Sequence, residues 1–234
     1  MPGGPAELTL DVNEQSFRVL DSGIGPAVLL LHGIGGTRDV WREQVPALVA
    51  GGFRVLAPDL RGFAVGPDER RNIGETIDDI RSILRTLGVP RVHVVGQDRG
   101  AEVAWMLALT HSKRVDRVVV LGAGYPDAER FAPLGNAVMA IWGSRDDSVT
   151  EATVRAAAEH VAGPWRFERL EDTGAAIPAE QPARLNALLL DFLAQPVAKR
   201  LPTTEVRAMV RGKRVAGGLA QRLRSSAAAP TPEA

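Results

Sequence analysis

The stretch VHVVGQDRGAEVAWMLAL, residues 92–109, constrains what this chain can fold into more than any other. An apolar, strand-like run enters Gly96-Gln97-Asp98-Arg99-Gly100, and a helical pattern begins at once. In so tight a strand-to-helix turn a side chain at either flanking position would clash, so both are glycine. The central residue is forced into a strained backbone conformation that lifts its side chain above the sheet. It then sits at a helix N-terminus, where the dipole favours an anion. Asp98 is therefore a candidate nucleophile. Its carboxylate needs no deprotonation and suits displacement at carbon with formation of an ester intermediate. The pentapeptide alone also fits an ordinary aspartate in a turn, so its context has to decide.

That context alternates strand-like and helix-like segments, the pattern of an α/β architecture with a mainly parallel sheet. LTLDV and QSFRVLDSG read as an opening hairpin. AVLLLHG (27–33) is a wholly apolar run ending in glycine, as expected of a central strand covered on both faces. FRVLAPD (53–59), RVHVVGQD (91–98), DRVVVLGAG (116–124) and AVMAIWGSRD (137–146) repeat that form, and WRFERLEDTG (165–174) reads as a final strand. Ile73, Ile77, Ile80, Leu84 and Leu87 step at helical spacing, as do Leu185, Leu188, Leu189, Phe192 and Leu193. These positions are read as core. The expected fold is a mostly parallel sheet of about eight strands flanked by helices.

LLLHGIGGTRDVW (29–41) places His-Gly directly after a buried strand. Backbone N–H groups exposed there can point at a developing oxyanion, and the expected donors are the amides of Ile34 and Arg99. His32 is read as a structural residue of the turn.

Composition excludes several classes. Lys+Arg and Asp+Glu are both 28, so no global charge favours nucleic acid or membrane. There is no cysteine and therefore no disulfide or thiolate chemistry, and four scattered histidines do not suggest a metal site. No cofactor or metal is expected. MPGGPAELTL lacks the basic flank and apolar core of a secretory signal, and the apolar runs are strand-sized, so a cytoplasmic location is expected. Charge is uneven along the chain. From residue 196 onward eight basic residues (Lys199, Arg200, Arg207, Arg211, Lys213, Arg214, Arg222, Arg224) face Glu205 and Glu233. Residues 1–195 are read as the core domain and 196–234 as a basic, partly disordered extension.

HGIGG…W, APDLRGF, GQDRG, IWGSRD and TGAAIPAEQP stand in an order that resembles the α/β-hydrolase fold, Asp-nucleophile branch. The likeness is to epoxide hydrolases and haloalkane or haloacetate dehalogenases, over roughly residues 8–195. It implies Asp98 as nucleophile, Asp146 as the orienting acid, and a histidine at the position held by Ala175. DRG resembles haloacetate dehalogenases, in which the arginine after the nucleophile helps hold a substrate carboxylate. A second arginine is expected one helical turn later, where this chain has Glu102. Arg99, Tyr125 and Trp142 are the candidate substrate-binding side chains.

The chain departs from the branch twice. Ala175 stands at the histidine position, and His93, His111 and His160 are all placed away from it. The branch also inserts a helical cap of several dozen residues between the sixth and seventh strands, where this chain has only YPDAERFAPLGN (125–136). Asp98 can still attack carbon, but ester hydrolysis loses a base contribution of about 10²–10⁴-fold. Three readings stay open. One is a hydrolase impaired in its second step, acting on a small-molecule substrate. Another is a non-catalytic binding or assembly module that joins a protein partner or a second copy through its open top or basic tail. The third is a lyase or cyclase using Asp98 as a base.

Overall fold

The computed structural model describes residues 6–63, 72–126 and 131–196. Its eight strands are β1 (Ala6–Val12), β2 (Gln15–Ser22), β3 (Ala27–Leu31), β4 (Arg54–Pro58), β5 (Val92–Gln97), β6 (Val115–Leu121), β7 (Ala137–Gly143) and β8 (Trp165–Leu170). The helices are α1 (Gln44–Ala50), α2 (Ile73–Thr86), α3 (Arg99–Thr110), α4 (Glu151–Ala156), the single turn α5 (Ile177–Glu180) and α6 (Pro182–Ala194). One sheet runs in the order β1-β2-β4-β3-β5-β6-β7-β8. β2 is antiparallel to both of its neighbours, and every pair from β4 onward is parallel. The expected α/β fold is the observed one.

The apolar strands are buried on both faces, and their side chains divide by alternation. Leu29, Leu31, Val94, Val118 and Val120 pack with Ile77, Ile80 and Leu84 of α2 and with α3. Val28, Leu30, Val95, Val119 and Leu121 pack on the other face with Leu48 of α1 and Leu185, Leu188, Leu189 and Phe192 of α6. Fully burying each such side chain contributes about 1.5–3 kcal/mol. The two helical patterns read from the sequence are thus α2 and α6, core-facing as expected.

The opening hairpin closes through Asn13 and Glu14, both at positive φ (49° and 60°), as a two-residue turn of the twist-matching kind requires. Asn13 is held from outside: its Nδ2 donates to Asp79 Oδ1 at 2.9 Å, and its Oδ1 accepts from Ser82 Oγ at 3.2 Å. Asp79 is buried in α2 and pairs through Oδ2 with Arg61 at 2.7 Å. This network ties the hairpin, α2 and the turn after β4 together.

Because β3–β8 are parallel, their C-terminal ends lie along one edge, where six connecting loops converge. At the opposite end His93 is buried beside Phe53, ring centroids 6.1 Å apart. Burial pushes the His93 imidazole down to about 4, against the opposing pull of Asp116. The unfolded chain takes up that proton near 6.5 and the folded chain only near 4, so stability falls as pH drops through this window. The expected loss is about 2–3 kcal/mol. Urea unfolding of wild type and His93→Leu across pH 7 to 4 checks it, with the variant expected to lose that part of the slope.

No helix among the described residues is long and apolar enough to cross a membrane. The basic stretch after Pro196 and residues 127–130 of the β6–β7 connection lie outside the described residues.

Candidate active site

Asp98 joins β5 to α3 with φ 52° and ψ −124°. A non-glycine residue held there costs about 1–3 kcal/mol, so the surrounding structure must enforce it. The two glycines show how. A Cβ on Gly96 would stand 2.2 Å from the Gly100 carbonyl oxygen, and one on Gly100 would stand 2.3 Å from that of Leu31. Gly100→Ala is expected to cost about 1–3 kcal/mol, because backbone, not a yielding side chain, would have to move. Its urea midpoint against wild type checks this.

The Asp98 carboxylate meets the loop after β3. Ile34 N–H donates to Asp98 Oδ2 at 3.1 Å. The approach is so close that a Cβ on Gly33 would stand 2.7 Å from the same oxygen. Oδ1 has no hydrogen-bond partner among the described residues. Arg99, the other expected amide donor, is the first residue of α3, where main-chain N–H groups have no partner within the helix.

His32 is a structural residue here, as its position predicts. Its Nε2 accepts from Leu60 N–H at 2.8 Å, its Nδ1 lies 2.8 Å from the Gly33 carbonyl, and Phe63 stands edge-on to the ring. Burial lowers its pKa, with Gly33 and Asp59 pulling the other way. The imidazole is therefore neutral at pH 7. Since a backbone amide can only donate, Nε2 carries the lone pair and Nδ1 carries the proton.

Asp146 follows β7 and is buried. Oδ1 accepts from Ser148 N, Ser148 Oγ and Val149 N at 2.9, 2.5 and 3.3 Å. The N-cap of α4 is Thr150, so Asp146 is not that cap. Oδ2 is buried with no partner among the described residues, a condition that costs about 1–3 kcal/mol or more for a charged group. A Cβ on Gly122 would lie 2.8 Å from this oxygen, and Gly122 follows Leu121, whose carbonyl accepts from Asp98 N at 3.3 Å. One glycine thus separates Asp146 from the backbone of Asp98.

Ala175 is exposed in the loop after β8. Its carbonyl accepts from Gln97 Nε2, of the residue before Asp98, at 3.1 Å. Glu180 fixes the loop from the other side, accepting from Gly174 N at 2.7 Å and Ala176 N at 3.2 Å. Arg145 N donates to Thr173 O at 2.8 Å and links this loop to the turn that carries Asp146. Asp98, Ile34, Asp146 and Ala175 are therefore gathered at one edge of the sheet. A cleft of about 370 Å³ opens beside them, lined by Gly36, Val40, Gln97, Ala176, Pro178 and Ala179 among others.

The three candidate substrate-binding side chains are placed differently. Arg99 pairs with Glu102 at 2.8 Å, so the residue standing where a second arginine was expected neutralises the first. Trp142 is buried in the core and its indole N–H donates to Val149 O at 2.9 Å. Tyr125 packs edge-on to Trp105 and stacks on His160 at 4.7 Å, and burial raises its phenol to about 12. Packing therefore occupies both aromatic rings. His93 is far along β5 from the elbow and His111 caps the far end of α3. No cluster of three or more metal-ligating side chains occurs among the described residues.

Gln97, Gly122 and Glu180 also shape the site. Glycine at 122 is required by its positive φ of 59° and by Asp146, but from sequence it reads only as the end of a strand.

The description "alpha/beta hydrolase fold" is that of a family model matching residues 26–177. This chain belongs to that family. Epoxide hydrolase A of Mycobacterium tuberculosis is 38% identical to it over 127 residues, which are 51% of this chain and 39% of the relative. Fluoroacetate dehalogenase of a Burkholderia species is 35% identical over 119 residues, 48% of this chain and 39% of the relative. The matched stretch thus spans about two fifths of the length of these curated relatives. The crystal structure of epoxide hydrolase A from Mycobacterium thermoresistibile superposes with a TM-score of 0.73 at 20% identity. It covers 83% of this chain and 100% of that one, a likeness of fold alone.

Proposed function

We propose that the protein is an epoxide hydrolase- or dehalogenase-like member of the α/β-hydrolase family that performs the first half of the reaction and stalls in the second. The observation that carries this reading is the Asp98 carboxylate at the elbow, with Oδ2 held by the Ile34 amide and Oδ1 left without a partner. Oδ1 attacks an electrophilic carbon. A C–O bond forms while the carbon–halogen bond breaks, and the electron pair leaves with the halide. With an epoxide the ring C–O bond breaks instead and the alkoxide takes a proton from water. Either way Asp98 becomes an ester.

Hydrolysis requires water to add to Asp98 Cγ, with the developing negative charge on Oδ2 facing the amides of Ile34 and Arg99. The proton lost by that water needs a base. Ala175 supplies none, and Asp146, the residue that would orient a histidine there, keeps an unpartnered oxygen. Addition is slowed and the ester accumulates. The short link between β6 and β7 supports an open site without a lid domain, so water can enter but is not activated.

Intact-mass measurement after incubation with a panel of small epoxides and haloalkanes tests this. The expected result is a single adduct that peptide mapping places on Asp98. No adduct across the panel overturns it.

A further inference from the structure

The amide that faces Asp98 belongs to the peptide joining Gly33 and Ile34, and the other end of that peptide is held by His32. All peptide bonds among the described residues are trans, so the Gly33 carbonyl and the Ile34 N–H point in opposite directions. His32 Nδ1 lies 2.8 Å from the carbonyl, and Ile34 N lies 3.1 Å from Asp98 Oδ2. Rotating the peptide plane would break both contacts together. The carbonyl accepts a second, longer bond from Gly36 N at 3.3 Å, within the same turn.

The ring has little freedom of its own. It is 1% exposed, stands edge-on to Phe63, and accepts at Nε2 from Leu60 N–H at 2.8 Å. Leu60 and Phe63 belong to one turn after β4. Phe63 also accepts at its carbonyl from Gly35 N at 2.5 Å, so that turn grips the loop after β3 at two points. Arg61 of the same turn is anchored to the buried Asp79 of α2. The grip on the loop thus runs back into the core.

We propose that His32 is a positioning residue: it fixes the plane of the Gly33–Ile34 peptide so that the Ile34 N–H stays aimed at the Asp98 carboxylate. The Leu60 contact orients the ring and selects the tautomer, and the Nδ1–H then holds the carbonyl. The chemical consequence rests on the reading of Asp98 as nucleophile, while the structural statement does not.

Two substitutions separate the two contacts. In His32→Asn the side-chain amide stands near the Nδ1 position and can still donate to the Gly33 carbonyl. In His32→Gln the side-chain oxygen reaches the Nε2 position and can still accept from Leu60. The Ile34 amide resonance of the full chain is identified by its shift in Asp98→Ala. It is expected to keep its wild-type position in His32→Asn and to move to the Asp98→Ala position in His32→Gln. Alkylation of Asp98 by a small epoxide, followed by intact mass, is expected to slow about tenfold in His32→Gln and less than threefold in His32→Asn, because the attacking carboxylate loses its fixed orientation only in the first.

An unmoved Ile34 resonance in folded His32→Gln overturns the proposal, as does an equal shift in both variants. If neither variant folds, the wild-type protein decides, because ¹⁵N spectra of its imidazole report the tautomer directly. A proton on Nδ1 with a scalar coupling to the Gly33 carbonyl supports the proposal. A proton on Nε2 or no coupling overturns it. Absence of any Asp98 adduct in wild type defeats the functional reading while the amide and tautomer data still decide this one.

Discussion

Ala175→His is expected to speed hydrolysis of the Asp98 ester by about 10²–10⁴-fold, so that the stalled reaction proposed for the wild type becomes a full cycle. The expectation follows from what already surrounds position 175. The side chain is exposed, so a larger one displaces no core residue. The loop is fixed by Glu180 at the amides of Gly174 and Ala176 and by Gln97 at the Ala175 carbonyl. Asp146 Oδ2 is unpartnered and available to accept an imidazole N–H. A histidine held by a carboxylate has its tautomer set and its protonated form stabilised. Most of the gain should therefore vanish in Ala175→His/Asp146→Asn. Decay of pre-formed adduct, followed by intact mass in the three proteins, measures the effect. Equal decay in wild type and Ala175→His would sink the idea that only the base is missing.

Asp98→Asn is the second large effect. The neutral amide is a poor nucleophile, so adduct formation should fall by at least about 10³-fold, to below detection. The loss should be chemical and not structural. Asparagine tolerates positive φ better than most residues, and its side-chain oxygen can still accept from Ile34 N–H. Urea unfolding should therefore stay within about 1 kcal/mol of wild type. An adduct that persists at the same mass and yield would mean that another side chain is being alkylated.

Much of this was legible in the sequence because the physical constraints there are local. The elbow glycines at 96 and 100 face backbone atoms within a few residues or on the adjacent strand, and no other residue type fits. The apolar strands and the leucines of α6 carry their own periodicity. Side-chain direction at the site was less legible. Trp142 and Tyr125 stood next to strand ends facing the right edge, yet Trp142 turns inward to the Val149 carbonyl and Tyr125 is taken up by Trp105 and His160. Arg99 pairs with Glu102 one helical turn away, a contact that helical spacing permits but does not require. The partnerless oxygen of Asp146 depends on where β7, Gly122 and the loop after β8 meet, which no segment specifies by itself.

A single turnover ending in a covalent ester, as proposed, is tested by counting leaving groups. Halide release from a small haloalkane that labels Asp98 is followed against active-site concentration in the wild-type protein. A burst that levels off at one equivalent of halide per chain is expected, in step with the appearance of the adduct. Continuous halide release beyond one equivalent, or release with no Asp98 adduct formed, would contradict it.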